Sequence, residues 1–423
     1  MRALATLAAA GALLIASAAG ATAAPRRQLA TAQRTLNDAL SQGMQQDGSG
    51  GGADVVDLDT GQALFSWSPD VGRVPASVEK LYTTATALLR FGPTATLTTS
   101  VLGKGWRDAR GIWHGTLYLR GGGDPTFGSA AFDQAWYGTG ATVQRLVANL
   151  VAQAGIRGLR GGIVGDGSYF DTLRGTPYSG YRRNIYNEGL LSGLSYDAGF
   201  VDIGETTFQP RPVLFAAQQF LGALRTGGVG VPAATPVKTG RTPTGARLLA
   251  TVASPPIAQL VQLTNTPSDN YFAETLLKDL GASFGAGGTT MAGAAVVRAQ
   301  LQSAFGIAPQ LVDGSGLSSS DSTSPDQVVT LLTQMAGNPD FVNSLAVAGE
   351  TGTLEHEMQG TVAQGRCHGK TGTLSNVANL AGYCTAEDGH TIAFAFLMNG
   401  VGDTDYTHNL EATMATSLAA YDG

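Results

Sequence analysis

Apolar and polar residues alternate across positions 54–67. Val55, Val56 and Leu58 precede a polar Asp59-Thr60-Gly61 turn, and Leu64, Phe65 and Trp67 follow it, so the segment predicts a β-hairpin. The period then changes. Over 77–90, Val78, Leu81, Ala85, Leu88 and Leu89 recur at helical spacing, and Gly92-Pro93 stops the run. From about Thr96 short strand-like pieces, 97–101 and 115–119, alternate with glycine clusters. A helix is predicted over 142–154, followed by more strand-and-turn texture to about Gly245. Helical periodicity returns at 257–263, 271–280 and 291–305. Three strands (369–374, 377–384 and 391–398) then precede a last helix over 409–420. Helices and strands are therefore mixed in an α/β (α+β) chain, with no internal repeat. The Gly/Pro-rich stretch 227–245 is too short for a flexible linker between independent domains.

Length adds a constraint: 423 residues exceed the roughly 250–300 at which one core stops growing, so two or more domains are expected. With 43% hydrophobic and 14% charged residues the composition is that of a folded protein. The net charge of −6, with no basic run or aromatic-interleaved basic patch, gives no reason to expect nucleic acid as a partner. Arg2, the apolar run 3–19 and the small residues Ala21-Thr22-Ala23 read as an export signal over 1–23. The protein is then expected to be secreted, periplasmic or cell-wall associated, with no transmembrane anchor after cleavage. Export permits a disulfide. If the 369–374/377–384 hairpin turns about Ser375-Asn376, Cys367 and Cys384 stand directly opposite one another, within bonding reach. No Cys/His spacing resembles a zinc site, and His356 and His368 read as ordinary residues. Neither a metal nor another cofactor is expected.

The candidate chemistry starts from Ser77. A serine hydroxyl is a weak nucleophile and needs a nearby base. Ser77-Val78-Glu79-Lys80 puts a serine and a lysine three apart at a helix start, on one face. The helix dipole there favours negative charge on oxygen. Of the lysines in the chain, only Lys80 follows a serine at this spacing. Ser268-Asp269-Asn270 sits in a loop just before the 271–280 helix, and Lys370-Thr371-Gly372 on a strand. S-x-x-K, S-D-N and K-T-G in this order are the signature of penicillin-binding proteins and class A β-lactamases. The expected roles follow. Ser77 attacks a carbonyl, and Lys80, as a neutral amine, takes its proton; burial and the cationic neighbour Lys370 are expected to lower its pKa. Ser268 relays the proton to the leaving amine. Asn270 orients Lys80 and the substrate amide. Lys370, Thr371 and Thr373 suit a terminal carboxylate. Backbone N–H groups of Ser77 and Thr373 form the oxyanion hole. Gly372 lets the substrate approach the strand edge, with Leu374 and Ser375 completing the substrate-binding stretch. A second K-T-G at Lys238-Thr239-Gly240 precedes the S-D-N between Pro236 and Pro243 and reads as a surface loop or edge strand.

The chain resembles the serine D-alanyl-D-alanine carboxypeptidases/endopeptidases, the low-molecular-mass class C penicillin-binding proteins. Besides the three motifs, the resemblance rests on Gly121-Gly122-Gly123-Asp124-Pro125-Thr126, Asp313-Gly314-Ser315-Gly316-Leu317-Ser318, Ala348-Gly349 with Gly352-Thr353-Leu354, Leu380-Ala381-Gly382-Tyr383 and Ser254-Pro255-Pro256. It covers most of the chain after residue 23. It implies a β-lactamase/transpeptidase-like domain, an antiparallel sheet flanked by helices, split into 24–95 and 250–423. A mainly β/mixed domain, 96–249, is inserted between the first two motifs, and looks short for the class. It also implies peptidoglycan stem peptides ending in D-Ala-D-Ala as substrate and β-lactams as covalent inhibitors. Two positions depart from the family pattern: Ser319 stands where an arginine is common, and the acidic pair of the inserted region reads Asp166-Gly167. Both bear on the pocket for the stem-peptide side chain. The competing readings are a secreted β-lactamase, a transpeptidase and a non-catalytic wall-binding module. A β-lactamase needs a deacylating glutamate between S-D-N and K-T-G, and the string Glu188-Gly189-Leu190-Leu191 lies before both. A binding module has no reason to keep all three motifs.

Overall fold

The computed structural model describes residues 23–48 and 50–423. The expected export signal therefore lies outside the described residues, apart from Ala23. Among the described residues no helix is long and apolar enough to cross a membrane.

The strands β1 (Gly52–Asp57), β2 (Ala63–Trp67), β9 (Ala346–Val347), β10 (Cys367–Leu374), β11 (Val377–Thr385) and β12 (Thr391–Asn399) form one antiparallel sheet in the order β2-β1-β12-β11-β10-β9. The apolar run of β12 reflects burial of both faces. Ile392, Phe394, Phe396 and Met398 pack under α1 (Ala23–Asp47) and α11 (Thr404–Ala419) with Leu36, Leu40, Met414 and Leu418. Ala393, Ala395 and Leu397 face the opposite layer. That layer comprises α2 (Lys80–Phe91), α6 (Ile257–Asn265), α7 (Asn270–Phe284), α8 (Thr290–Phe305), α9 (Pro325–Met335) and the short α10 (Pro339–Val342). Small side chains on this face let the helices approach closely. The same device joins α7 to α8, where a Cβ on Gly293 would stand 2.0 Å from the Leu277 carbonyl oxygen. From Tyr271 to Gly281 every residue of α7 is buried, which makes it the central helix and a rigid support for the S-D-N loop before it.

A second sheet joins β3 (Thr96–Arg107), β4 (Ile112–Arg120), β6 (Ile163–Asp166), β7 (Val237–Thr239) and β8 (Arg247–Pro256) in the order β7-β6-β4-β3-β8, with β5 (Gly158–Arg160) beside β4. It mixes antiparallel pairs (β3 with β4 and β8) with parallel ones (β4 with β6, β6 with β7). Trp113, Leu117 and Leu119 pack with Leu146 and Leu150 of α4 (Val143–Ala154) and Phe220 of α5 (Pro212–Thr226). A short α3 (Ala130–Trp136) precedes α4.

The strand-and-turn texture expected up to Gly245 is corrected at α5. Pro212 starts this helix, and Ala216, Ala217, Phe220, Ala223 and Leu224 form its buried face. The helix α1 has no counterpart in the sequence reading. The hairpin about Ser375-Asn376 has the expected register: Cys367 pairs with Cys384 and Leu374 with Val377, and the two cysteines are bonded. A bridge closing a loop of this size is worth roughly 2–4 kcal/mol. The Cys367→Ser/Cys384→Ser double variant is therefore expected to unfold at lower denaturant with that loss. Thiol labelling of the unreduced, denatured wild type should find no free thiol; two free thiols would exclude the bond.

Candidate active site

Ser77 lies in a 3-10 turn, Ala76–Glu79, that leads directly into α2. Ala76 before it adopts φ +46°, uncommon for a residue with a side chain, so the surroundings must hold the turn. They do so from two sides. Asn379 of β11, buried, donates from Nδ2 to the carbonyls of Val74 and Pro75, at 3.0 and 2.8 Å. Gly316, at φ +79°, presses against Ala76, where a Cβ would stand 1.8 Å from the carbonyl oxygen. Gly372 has a related role. A Cβ there would stand 2.6 Å from the Pro75 carbonyl oxygen and 3.2 Å from the Ser77 nitrogen, so this glycine admits the protein's own serine turn to β10. The sequence reading had assigned its space to the substrate.

Lys80 begins α2, wholly buried. Its Nζ lies 2.8 Å from Ser77 Oγ, 2.6 Å from Asn270 Oδ1 and 2.8 Å from the Ser315 carbonyl oxygen. A neutral amine has two N–H bonds and one lone pair. The two carbonyl-type oxygens can only accept, so the N–H bonds go to them and the lone pair is left for the serine hydroxyl. Burial lowers the Lys80 pKa, opposed by Glu188, Glu79, Asp269 and Asp313.

Lys370 of β10 is equally buried, and its Nζ donates to Ser268 Oγ at 2.7 Å and to the Thr371 carbonyl at 2.9 Å. Its pKa is held well below the usual lysine value, first by burial and then by repulsion from Lys80, with Glu188 opposing. The repulsion between the two buried amines favours the neutral form of each. Ser268 takes φ +69° in the loop before α7. Asp269 caps that helix through the Phe272 N–H. Among the described residues no strand pairs with the outer edge of β10 beyond Gly369, which leaves 370–374 as an edge of the kind that can take an extended peptide.

The structure thus brings Ser77, Lys80, Ser268, Asn270 and Lys370 together, with Thr371 and Thr373 along the same edge. Leu374 and Ser375 lie at the tip of the hairpin, outside this hydrogen-bond set. Lys238 is exposed on β7, at the edge of the second sheet.

Several neighbours were not assigned to the site from the sequence. Glu188, set aside on motif order, accepts from the Asn270 backbone N–H at 2.6 Å, and Tyr186 offers its carbonyl to Asn270 Nδ2 at 2.9 Å. That amide group, expected to meet the substrate, is engaged by the protein. Below Lys80, Glu274 accepts from Gly314 N, Ser315 N and Ser315 Oγ, which fixes the carbonyl that Lys80 uses. Burial, together with repulsion from Asp313, raises Glu274 to about 7 and Asp321 to about 9. His408 and Glu411 of α11 stand behind Thr373.

The chain matches the D-Ala-D-Ala carboxypeptidase 3 (S13) family over residues 32–181 and 203–421. It belongs to that family. A D-alanyl-D-alanine carboxypeptidase of an Actinomadura species is 30% identical, across 86% of this chain and 80% of that protein. The carboxypeptidase DacB of Mycolicibacterium smegmatis is 31% identical, across 84% and 77%. Penicillin binding protein 4 of Haemophilus influenzae shares the fold, with a TM-score of 0.72 at 20% identity over 89% of this chain and 98% of that one. As an S13 peptidase of the class C penicillin-binding type, the chain is a D-Ala-D-Ala carboxypeptidase, a hydrolase. Its mixed helix–strand architecture is that of the penicillin-binding fold.

Proposed function

We propose that this is an exported serine peptidase that releases D-alanine from peptidoglycan stem peptides ending in D-Ala-D-Ala, or cuts their cross-links, through a Ser77 acyl-enzyme that β-lactams trap. The observation that carries the reading is the environment of Lys80, a buried amine whose lone pair has only the Ser77 hydroxyl to meet. In this mechanism Ser77 Oγ bonds to the carbonyl carbon as Lys80 takes its proton. The N–H groups of Ser77 and Thr373 receive the oxyanion. The C–N bond then breaks. The leaving amine takes a proton through Ser268, which Lys370 holds. Water hydrolyses the ester and frees Ser77. Lys370, Thr371 and Thr373 bind the terminal carboxylate. Digestion of purified peptidoglycan, with mass analysis of the products, tests the substrate assignment: loss of terminal D-alanine or of D-Ala cross-links is expected, and unchanged muropeptides would overturn it.

The two K-T-G motifs give a sharper comparison. Losing the Lys370 contact to the carboxylate should lower kcat/KM on a short D-Ala-D-Ala peptide by about 10–150-fold, the equivalent of a charge-assisted hydrogen bond. Lys238→Ala, an exposed change on the second sheet, should alter it by less than about 3-fold. Melting temperature serves as the folding control. A folded Lys238→Ala variant without activity, beside an active Lys370→Ala, would reverse the assignment.

A further inference from the structure

Thr373 is exposed on the open edge of β10, yet its hydroxyl is already engaged. Oγ1 lies 2.8 Å from Nε2 of His408, whose Nδ1 lies 2.8 Å from Oε2 of Glu411 one helical turn on. Glu411 is buried, and its other oxygen has no hydrogen-bond partner. A cavity of about 190 Å³ opens beside this line, with Thr353, Thr371, Thr373, Glu357, His408 and Glu411 in its wall. A hydroxyl, an imidazole and a buried carboxylate therefore run in series from the surface of the carboxylate subsite into the core.

The hydroxyl has one proton to give. To donate it to a substrate carboxylate, Thr373 must accept from the ring, so Nε2 must carry hydrogen. Nδ1 and Glu411 Oε2, which face each other, must share a further proton. Both conditions hold only for the imidazolium, or for a neutral ring beside a protonated Glu411. Without that extra proton, Nε2 becomes an acceptor and the Thr373 hydroxyl turns away from the substrate. We propose that His408, held by Glu411, is a positioning residue that aims the Thr373 hydroxyl at the C-terminal carboxylate of the substrate and, when protonated, adds a favourable charge. This rests on the reading of Thr373 as part of the carboxylate subsite.

The surrounding charges support retention of the proton. Glu411 and Asp405 lie on α11 itself, Glu357 faces from across the cavity and Asp47 of α1 faces Glu411. The Lys370 amine of β10 turns to Ser268. Burial works against charge on His408, but the bond to Glu411, with Glu357 and Asp405, holds its pKa above the ordinary value. Burial also raises Glu411 to about 7. The pair therefore holds its proton to higher pH than a free imidazole would and loses it as pH rises through the raised His408 value, and carboxylate binding weakens on that side.

The test is kcat and KM against pH for an acyl-D-Ala-D-Ala peptide with wild type, His408→Ala and His408→Gln. His408→Ala should raise KM by about 10-fold, a low-end value for a hydrogen bond to a charged group, with kcat within about 3-fold. His408→Gln, whose amide can donate from the position of Nε2, should restore most of the binding and reduce the alkaline rise in KM to what loss of the Lys370 charge contributes. An unchanged KM in His408→Ala, or an alkaline rise in His408→Gln as large as in the wild type, would overturn the inference alone. If the wild type releases no D-alanine, the reading of the whole site fails and this inference falls with it.

Discussion

Replacing Lys80 with methionine should lower the rates of D-alanine release and penicillin acylation by roughly 10²–10⁴-fold, the usual contribution of a positioned general base. The amine is in contact with the attacking oxygen and with two acceptors that fix its orientation. Methionine fills much of the volume and supplies neither proton acceptor nor donor. It also leaves Asn270 Oδ1 and the Ser315 carbonyl without this donor, so melting temperature must be followed alongside the rate. The pH profile separates lost chemistry from lost structure. Only the neutral amine can take the Ser77 proton, so kcat/KM in the wild type should rise with pH up to the Lys80 value, which burial has lowered. In Lys80→Met that acid limb should vanish. A folded variant that keeps both the limb and the rate would show that another group is the base.

Ser77→Ala should cost more, on the order of 10⁴-fold or beyond in D-alanine release, because removing a nucleophile removes the covalent route rather than one contact. The structural cost should be small. Ser77 is only half-buried, and the turn that carries it is held by Asn379, Gly316 and Gly372 through backbone atoms rather than through the serine side chain. An active, folded Ser77→Ala would leave the site without its proposed nucleophile.

Much of this site was legible because its chemistry is written in short strings. Ser77 with Lys80, Ser268 with Asn270 and Lys370 with Thr371 are each local, and their order along the chain matched a known arrangement. The sheet was legible for another reason: the apolar runs of β11 and β12 and the opposed cysteines are patterns with a period. The α5 helix was missed because its apolar face is built largely of alanine, a weak hydrophobic signal among glycines and prolines. Glu188 was dismissed on motif order, whereas the loop that bears it folds back onto the α7 N-terminus. His408 and Glu411 are single residues in a polar helical stretch, and nothing local distinguishes them from a solvated face until β10 packs beside them. The role of Gly372 depended on the approach of the Ser77 turn, a contact between segments far apart in sequence.

The most direct measurement is intact-mass analysis of the pure protein after exposure to penicillin, followed by peptide mapping. One drug adduct per chain is expected, on the peptide that contains Ser77, and none in Ser77→Ala. An adduct that persists in Ser77→Ala, or a folded wild type that takes up no drug, would contradict the Ser77 acyl-enzyme.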